Sequence, residues 1–548
     1  MSVRFALGAA QPAFQARLRA LEASHFAARL WRRDATLWSA DPAHQRVASS
    51  RLGWLTSPAL MEGRVGEFTE FAAGAGHSGF THAVLLGMGG SSLAPEVLGL
   101  TFGKRAGALD LSILDNTSPA AVREVTQPHD LKRTLFVVSS KSGGTLEVAS
   151  FEKHFFAAVR AVRGDQAGQS FVAITDPGTS LAALARARGY ARVFTNPPDI
   201  GGRYSALSCF GLVPAALIGA DLQGLLAGAR DEARATGDDG ADASPPGVAL
   251  GAALGELALA GRDKVTLVLD HRIAALGAWI EQLVAESTGK DGRGLIPIAD
   301  EPLGTPSVYG DDRVFVSVSV HNRYIPTEVS LRYLEDSGHP VLRWTRPEAG
   351  ELGAEFLRWE IATATASAVL GVDPFDEPNV AEAKEATKLT LDRYLAEGRF
   401  AAPLEFQPAA LADLLDQARP GDYFAILAYL HRTPGTHERL SRLRHAIRDR
   451  TRLATTLGYG PRYLHSTGQL HKGGPHTGLF LLLTADEGKD VPIPGERYGF
   501  AALRQAQATG DLEVLERHGR RVAHLHLGAG IESALDRLIA TFPAPAQI

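Results

Sequence analysis

The chain has 548 residues, of which 45% are hydrophobic and 21% are charged, and its formal net charge is −5. This length exceeds what one hydrophobic core usually supports, so we expect several domains, and the charge gives no reason to expect a nucleic-acid partner. The single cysteine, Cys209, excludes an internal disulfide framework and a cysteine-rich metal site. Because no signal-peptide pattern and no run of about 18 apolar residues occurs, we expect a cytoplasmic protein without a membrane partner.

The chain begins with helical patterns and then changes to alternating strands and helices. Residues 1–76 predict a helical N-terminal segment because apolar residues recur at helical spacing. Residues 77–240 predict a first α/β domain, in which short apolar strands alternate with helices. Such alternation is typical of a doubly wound parallel sheet, whose ligands bind at the carboxyl ends of the strands. The predicted strands are 83–88, 111–114, 134–139, 171–175 and 192–195.

The second half of the chain predicts further α/β structure. Residues 237–246 have the composition of a linker or surface loop. Residues 248–395 predict a second domain like the first, and residues 396–548 predict a C-terminal α/β segment. The fold class is therefore α/β, with two doubly wound parallel-sheet domains, a helical lead-in and a C-terminal extension. The predicted strands are 265–269, 314–320 and 479–484, and the predicted helices are 273–286, 355–370, 409–417 and 437–456.

The strand at 134–139 stops in a loop suited to a phosphate group. Ser140, Ser142 and Thr145 offer hydroxyls and Lys141 a cation, while two glycines allow close approach and a helix begins directly afterwards. An ordinary strand-to-helix turn capped by Thr145 is the alternative. A Walker-type loop does not fit, because the lysine precedes the glycines.

The strand at 83–88 also ends in a glycine-rich loop, which contains Gly90 and Ser91. A dinucleotide fingerprint would need a third glycine where Ser92 stands. Two neighbouring strand ends rich in Gly, Ser and Thr favour a phosphorylated sugar over a pyrophosphate.

Three further side chains are candidates for chemistry, each with a plainer alternative. Glu286 ends an amphipathic helix, where burial would raise its pKa towards that of a general base, although the pattern by itself favours a solvated glutamate near a helix end. Arg203 follows Gly201 and Gly202, which leave space for a guanidinium beside a ligand. Lys384 lies on a predicted helix and could equally be a surface lysine.

Three histidines lie within twelve residues, at positions 465, 471 and 476. Their spacing lacks the helical His-x-x-x-His pattern of a zinc site. An acid–base histidine beside a ligand is the better interpretation, since imidazole titrates near neutrality.

Taken together, these segments resemble the phosphoglucose isomerase family over most of residues 80 to 390. The long C-terminal segment is similar to the isomerase part of transaldolase–phosphoglucose isomerase fusions, although no transaldolase portion is recognised. The motifs that carry the resemblance are Gly87-Met-Gly-Gly-Ser-Ser-Leu-Ala-Pro95, Ser140-Lys-Ser-Gly-Gly-Thr145, Gly201-Gly-Arg-Tyr-Ser205, Ala285-Glu-Ser-Thr-Gly-Lys290 and Phe375-Asp-Glu-Pro-Asn-Val-Ala-Glu-Ala-Lys384.

The resemblance implies two sugar-isomerase domains that interconvert glucose 6-phosphate and fructose 6-phosphate without metal, nucleotide or other cofactor, in a homodimer. Glu286 would move a proton between C2 and C1 through a cis-enediol, Arg203 would steady the developing oxyanion, and Lys384 would assist ring opening. A protein that only senses sugar phosphates, or an isomerase that also accepts mannose 6-phosphate, remains an alternative. The residues implied to bind substrate are Gly90, Ser91, Ser140, Lys141, Ser142, Thr145 and Gly202.

The sequence departs from the family pattern at two places. The usual glutamine seven residues before the lysine is Glu377, which adds a negative charge at a substrate-binding position. The usual ring-opening histidine is missing from residues 302–310, and the matching Leu-His-Ser-x-Gly-Gln pattern stands at 464–469 instead. We therefore expect His465 to take this role from a different part of the chain, either within one subunit or across a subunit interface, with His471 as the second choice.

Overall fold

A computed structural model describes residues 3–126, 130–237, 245–321, 324–401 and 406–542, and contains three sheets within them. The strands are β1 Val3–Ala6, β2 His82–Leu86, β3 Asp110–Leu114, β4 Thr134–Ser139, β5 Phe171–Thr175, β6 Arg192–Thr195, β7 Lys264–Leu269, β8 Ile296–Ile298, β9 Arg313–Val320, β10 Val341–Arg346, β11 Tyr423–Tyr429, β12 Ala454–Tyr459, β13 Gly478–Thr484 and β14 Arg521–His526.

The helices connect and cover these sheets. They are α1 Gln11–Ala23, α2 Phe26–Trp31, α3 Pro42–Ser49, α4 Ser57–Glu62, α5 Val65–His77, α6 Leu93–Phe102, α7 Pro119–Thr126, α8 Leu146–Arg163, α9 Ser180–Ala187, α10 Cys209–Leu217, α11 Leu222–Thr236, α12 Pro246–Leu259, α13 Leu276–Thr288, α14 Ile325–Asp336, α15 Leu352–Leu370, α16 Pro378–Glu397, α17 Ala409–Leu415, α18 Pro434–Thr451, α19 Gly468–Gly473, α20 Phe500–Arg517 and α21 Ile531–Ala540.

The first sheet has the strand order β3-β2-β4-β5-β6, and all of its strands are parallel. β4 and β5 are buried at every position because helices cover both faces of the sheet, whereas the edge strand β6 is mostly exposed or half-buried. The predicted doubly wound α/β fold is confirmed in this part of the chain.

The second sheet has the order β1-β10-β9-β7-β8. β7 to β10 are parallel, and β1 joins the edge antiparallel, with Val3 opposite Trp344 and Ala6 opposite Val341. The helical N-terminal segment predicted over residues 1–76 thus begins with a strand that the sequence did not indicate. A strand of only four residues carries no period that could distinguish it from a loop.

A buried helix, α15, fills the centre of the second unit. The sequence predicts an amphipathic helix at 355–370, but α15 is buried over almost its whole surface because α11, α12 and α13 surround it. Gly251 on α12 explains the close packing, since a Cβ there would lie 2.3 Å from the carbonyl oxygen of Ala362. The missing side chain lets the two helix backbones approach each other.

The third sheet has the order β12-β11-β13-β14, with every strand parallel. The helix predicted at 437–456 ends at Thr451, where Arg452 adopts a left-handed conformation (φ 62°), and β12 follows at once. Most of the predicted linker, 238–244, lies outside the described residues. None of the described helices has the length and apolar character needed to span a membrane.

Candidate functional site

A cavity of about 270 Å³ lies at the carboxyl ends of the first sheet's strands, where the loops after β2 and β4 meet α13, α16 and the segment before α19. This is the edge at which parallel sheets usually bind ligands. Most of the predicted site residues line it, namely Gly90, Ser91, Lys141, Ser142, Thr145, Gly202, Arg203, Glu286, Glu377, Lys384 and His465.

Glycines let three segments of backbone meet at the cavity. A Cβ on Gly90 would lie 1.9 Å from the carbonyl oxygen of Gly202, and one on Gly89 would lie 2.8 Å from the carbonyl oxygen of His465. Gly89 also has a positive φ of 56°. The glycine-rich loop after β2 is therefore a packing surface for the Arg203 and His465 segments.

The loop after β4 has the arrangement expected of an anion site. The hydroxyls of Ser140 and Thr145 are 3.0 Å apart, and Ser140 Oγ also accepts a hydrogen bond from the Gly143 amide at 3.1 Å. Ser140 is buried behind the loop and does not line the cavity, whereas Ser142 and Thr145 do. The Thr145 side chain does not cap α8, so its hydroxyl does not compete with a ligand for the first amides of that helix.

The charges around this loop favour an anion. Lys141 pairs with Asp176 and also donates to the carbonyl oxygen of Pro198 at 3.2 Å. Arg51 lies on the same cavity wall and has no ion-pair partner among the described residues. Four lysine and arginine side chains thus face three carboxylates in the cavity, before any ligand or histidine charge is counted.

Arg203 is held rigidly behind the cavity. Its Nε donates to Ser287 Oγ at 2.9 Å, and its Nη2 donates to the carbonyl oxygens of Pro374 at 2.7 Å and Asp376 at 2.9 Å. These bonds fix the guanidinium plane, so that Nη1 alone points towards the two cavity carboxylates. A lysine could not reproduce this fork of contacts.

Glu286 lies beside that nitrogen and is almost completely buried. Its Oε1 is 3.3 Å from Arg203 Nη1, and its Oε2 accepts from the Gln282 amide at 3.0 Å. Burial raises the pKa of the Glu286 carboxyl, Arg203 opposes that rise, and the nearby charge of Glu377 adds to it. A positioned carboxylate with a raised pKa is suited to proton transfer near neutral pH.

His465 reaches the same cavity from the third part of the chain. Its Nε2 is 2.9 Å from Glu147 Oε1, which also accepts from Gln507 Nε2 at 2.7 Å. Burial pushes the pKa of Glu147 upward, but the adjacent His465 and Lys384 hold it below its usual value. His465 is therefore oriented by a carboxylate of its own chain.

The remaining predicted residues divide into two groups. Lys384 and Glu377 line the cavity, and Glu377 Oε2 lies 3.0 Å from Arg203 Nη1. His471 is not brought to the cavity. It is buried with its ring 5.1 Å from that of Phe480, and Tyr423 Oη lies 3.2 Å from its Nδ1.

One group of three potential metal ligands occurs among the described residues, formed by His44, Asp373 and Asp376, whose ligand atoms lie within 4.8 Å of one another. It lies outside the cavity lining, and Lys290 already pairs with Asp376. His465, His471 and His476 do not form such a group.

Sequence reasoning missed Glu147, Asp176, Gln507 and Arg51. Glu147 had a recoverable signal, because it stands two residues after Thr145 in the first turn of α8, where a carboxylate can face the same strand end. Asp176, Gln507 and Arg51 had no such signal in the sequence. Each lies in an ordinary turn or helix pattern and reaches the site only through tertiary packing.

Comparison with known proteins agrees with this geometry. Residues 62–296 match the family model described as phosphoglucose isomerase. A glucose-6-phosphate isomerase from Rubrobacter xylanophilus is 30% identical over 363 residues, which cover 58% of this chain and 83% of that protein. One from Gloeothece citriformis is 35% identical over 215 residues, or 39% of this chain and 40% of that protein. The chain thus spans under half the length of several relatives that it matches.

Solved structures show the same fold. A hypothetical protein from Thermus thermophilus aligns with a TM-score of 0.60 at 24% identity, covering 71% of this chain and all of that one. A glucose-6-phosphate isomerase from Chlamydia trachomatis aligns with a TM-score of 0.51 at 21% identity, covering 69% of this chain and 79% of that one.

The parallel sheets and the cavity at their strand ends define an α/β protein that binds its ligand at the carboxyl ends of parallel strands, with the fold of these solved structures. Together with the matched family model and the relative from Rubrobacter xylanophilus, they identify the particular group: the chain belongs to the phosphoglucose isomerase family.

Proposed function

We propose that this chain interconverts glucose 6-phosphate and fructose 6-phosphate. The observation that carries the proposal is the placement of the Glu286 carboxylate 3.3 Å from the fixed guanidinium of Arg203, in a cavity that also contains the phosphate loop. A base, a rigid cation and an anion site are the three parts that an aldose–ketose isomerisation needs.

In this proposal the substrate phosphate lies against Ser142, Thr145 and the N-terminus of α8. His465, oriented by Glu147, takes the proton of the anomeric hydroxyl and returns a proton to the ring oxygen, which opens the ring. Lys384, on the same wall, stabilises the oxygen as its charge develops.

Glu286 then removes the proton from C2 of the open aldose. The electron pair forms the C1–C2 double bond of a cis-enediol, and negative charge develops on the oxygen beside Arg203. Glu286 returns its proton to C1 while the proton of the C2 hydroxyl passes to O1, so that fructose 6-phosphate forms with all atoms conserved. The charged groups fixed around the cavity reduce the reorganisation that water would require.

A coupled assay on purified protein tests the proposal. Wild-type protein should convert fructose 6-phosphate, and Glu286→Gln should lower kcat by about 10²–10⁴-fold, the usual contribution of a general base. Glu385→Gln, which lies on α16 away from the cavity, is the matched control. Tight hexose 6-phosphate binding without turnover in the wild type would favour a sugar-phosphate sensor instead.

Several finer predictions accompany this proposal. The same assay with mannose 6-phosphate decides whether the C2 epimer is also a substrate. The domain limits 77–240, 248–395 and 396–548, a cytoplasmic homodimer, independence from metal ions and a relation to transaldolase fusions remain predictions from the sequence.

A further inference from the structure

A second polar cavity lies between the first and third sheets, on the far side of the His465 segment. It measures about 280 Å³, close to the 270 Å³ of the first cavity. Its walls include the residues that directly follow β3 and β11, and the last residues of β12. The carboxyl ends of two parallel sheets therefore open into one space, which is the position where such sheets bind small molecules.

Two charged side chains that line this cavity, Glu281 and Arg432, have no ion pair among the residues that the structure describes. Glu281, on α13, makes no hydrogen bond or ion pair with any of them, although it is half-buried. Arg432 has no ion pair within the described ranges, and its guanidinium lies 5.5 Å from the centre of the Tyr459 ring. Arg432 is exposed, but Glu281 is half-buried, and a half-buried carboxyl group without a hydrogen bond is costly unless a ligand or water satisfies it.

Apart from the exposed Asp300, most of the other charged groups are already occupied. Arg462 lies 3.0 Å from Glu96 and 3.2 Å from Asp115, while His431 lies 2.8 Å from Glu124. Arg444 donates to the carbonyl oxygen of Thr455 at 2.7 Å. These ion pairs provide hydrogen-bond donors and acceptors at the wall of the second cavity, but they leave no excess of positive charge there.

That balance distinguishes the second cavity from the first. Three arginines face five carboxyl groups here, although burial raises the pKa of Asp115 and brings the pKa of Glu281 to about 7, whereas cations outnumber carboxylates around the phosphate loop. A phosphate dianion finds no surplus of positive charge here, but the hydroxyls of an uncharged polyol can donate to Glu281 and accept from Arg432.

We propose that this cavity binds an uncharged polyhydroxylated molecule of hexose size and that its occupancy alters the isomerase site. The coupling has a physical route, because Arg462, Tyr463 and Ser466 line the second cavity and flank His465. In addition, α13 carries Glu281 into this cavity and Glu286 into the other. The coupling rests on the proposed isomerase function, but the binding does not.

Titration calorimetry on the full chain tests the binding, with D-glucose, D-fructose and sorbitol as probes and equilibrated fructose 6-phosphate filling the first cavity. At least one probe should bind saturably at a single site. The double variant Glu281→Ala/Arg432→Ala should weaken that binding at least tenfold, and it should fold because neither side chain has an ion-pair partner within the described ranges. Glu438→Ala/Arg442→Ala, on α18 outside the cavity lining, should bind like the wild type.

The coupling is tested by measuring kcat at saturating substrate with and without the probe that binds. We expect a change of at least twofold that the Glu281→Ala/Arg432→Ala variant loses. No saturable binding, or binding that the double variant retains, would overturn the site. If the probe binds but kcat of the active enzyme does not change, the coupling is overturned. If the wild-type protein shows no turnover, the isomerase proposal is contradicted, but the calorimetry still tests the binding.

Discussion

The side chains of His465 and Glu147 meet at 2.9 Å although 318 residues separate them in the chain. The first sheet supplies the carboxylate and the third part of the chain supplies the imidazole, so the proposed ring-opening group is assembled by the packing of two α/β units. Because the two residues act as one unit, their individual replacements should not add.

We therefore expect Glu147→Gln and His465→Asn each to lower kcat/KM for glucose 6-phosphate, by about 10² or more for the histidine. The double variant should be no worse than His465→Asn alone. Steady-state kinetics of the four proteins measure the interaction. Fully multiplicative losses would show that Glu147 does not act through His465.

Complementation tests whether the site is complete within one chain. Glu286→Gln and His465→Asn remove groups that line the same cavity of a single chain. Mixing or co-expressing the two variants should therefore restore no activity. If the histidine instead served a neighbouring subunit, mixed dimers would contain one intact site and the mixture would regain a substantial fraction of wild-type turnover.

The pH profile should report the environment of Glu286. Burial raises its pKa above the ordinary 4.5, and Glu377 adds to this rise against the opposing charge of Arg203. Since the base acts when deprotonated, kcat/KM should fall on the acid side at a pH above 4.5. Glu377→Gln removes one negative charge, lowers the pKa of Glu286 and should move that limb to lower pH. Glu385→Gln serves as the reference variant. If the acid limb of the kcat/KM profile of Glu377→Gln does not shift relative to it, the assignment of Glu286 as the base is contradicted.

Gly90→Ala should nearly abolish activity. Its new Cβ would lie 1.9 Å from the Gly202 carbonyl oxygen, which must shift together with the adjacent Arg203. Displacement of a positioned group by about 1 Å can cost about 10²-fold in rate. Gly74→Ala on α5 meets no atom within 4 Å and should leave kcat/KM unchanged. Circular dichroism should show that both variants are folded.

The sequence predicted those parts of the molecule whose signal is local. β2 and β4 are buried apolar runs that stop in glycine and hydroxyl residues, so both the strands and the loops after them could be recognised. α15 was recognised as a helix but not as a central one, because burial on all sides depends on neighbours that no local period reports.

Tertiary packing decides the rest of the site. Asp176 pairs with Lys141 because β5 lies beside β4, and Gln507 supports Glu147 because α20 packs near the start of α8. The local sequence around either residue resembles many turns and helices without function. The motif at 464–469 identified His465 as a candidate. Its position at the cavity of the same chain depends on how the third sheet packs, which the motif does not report.

The antiparallel pairing of β1 with β10 has a consequence for aggregation. Without Val3–Ala6, β10 would present a row of unpaired amide and carbonyl groups at the edge of the second sheet. Exposed edges of this kind recruit strands from other chains. The four residues of β1 therefore act as a barrier to self-association, and a fusion that prevents their pairing should reduce the yield of unaggregated protein before it affects catalysis.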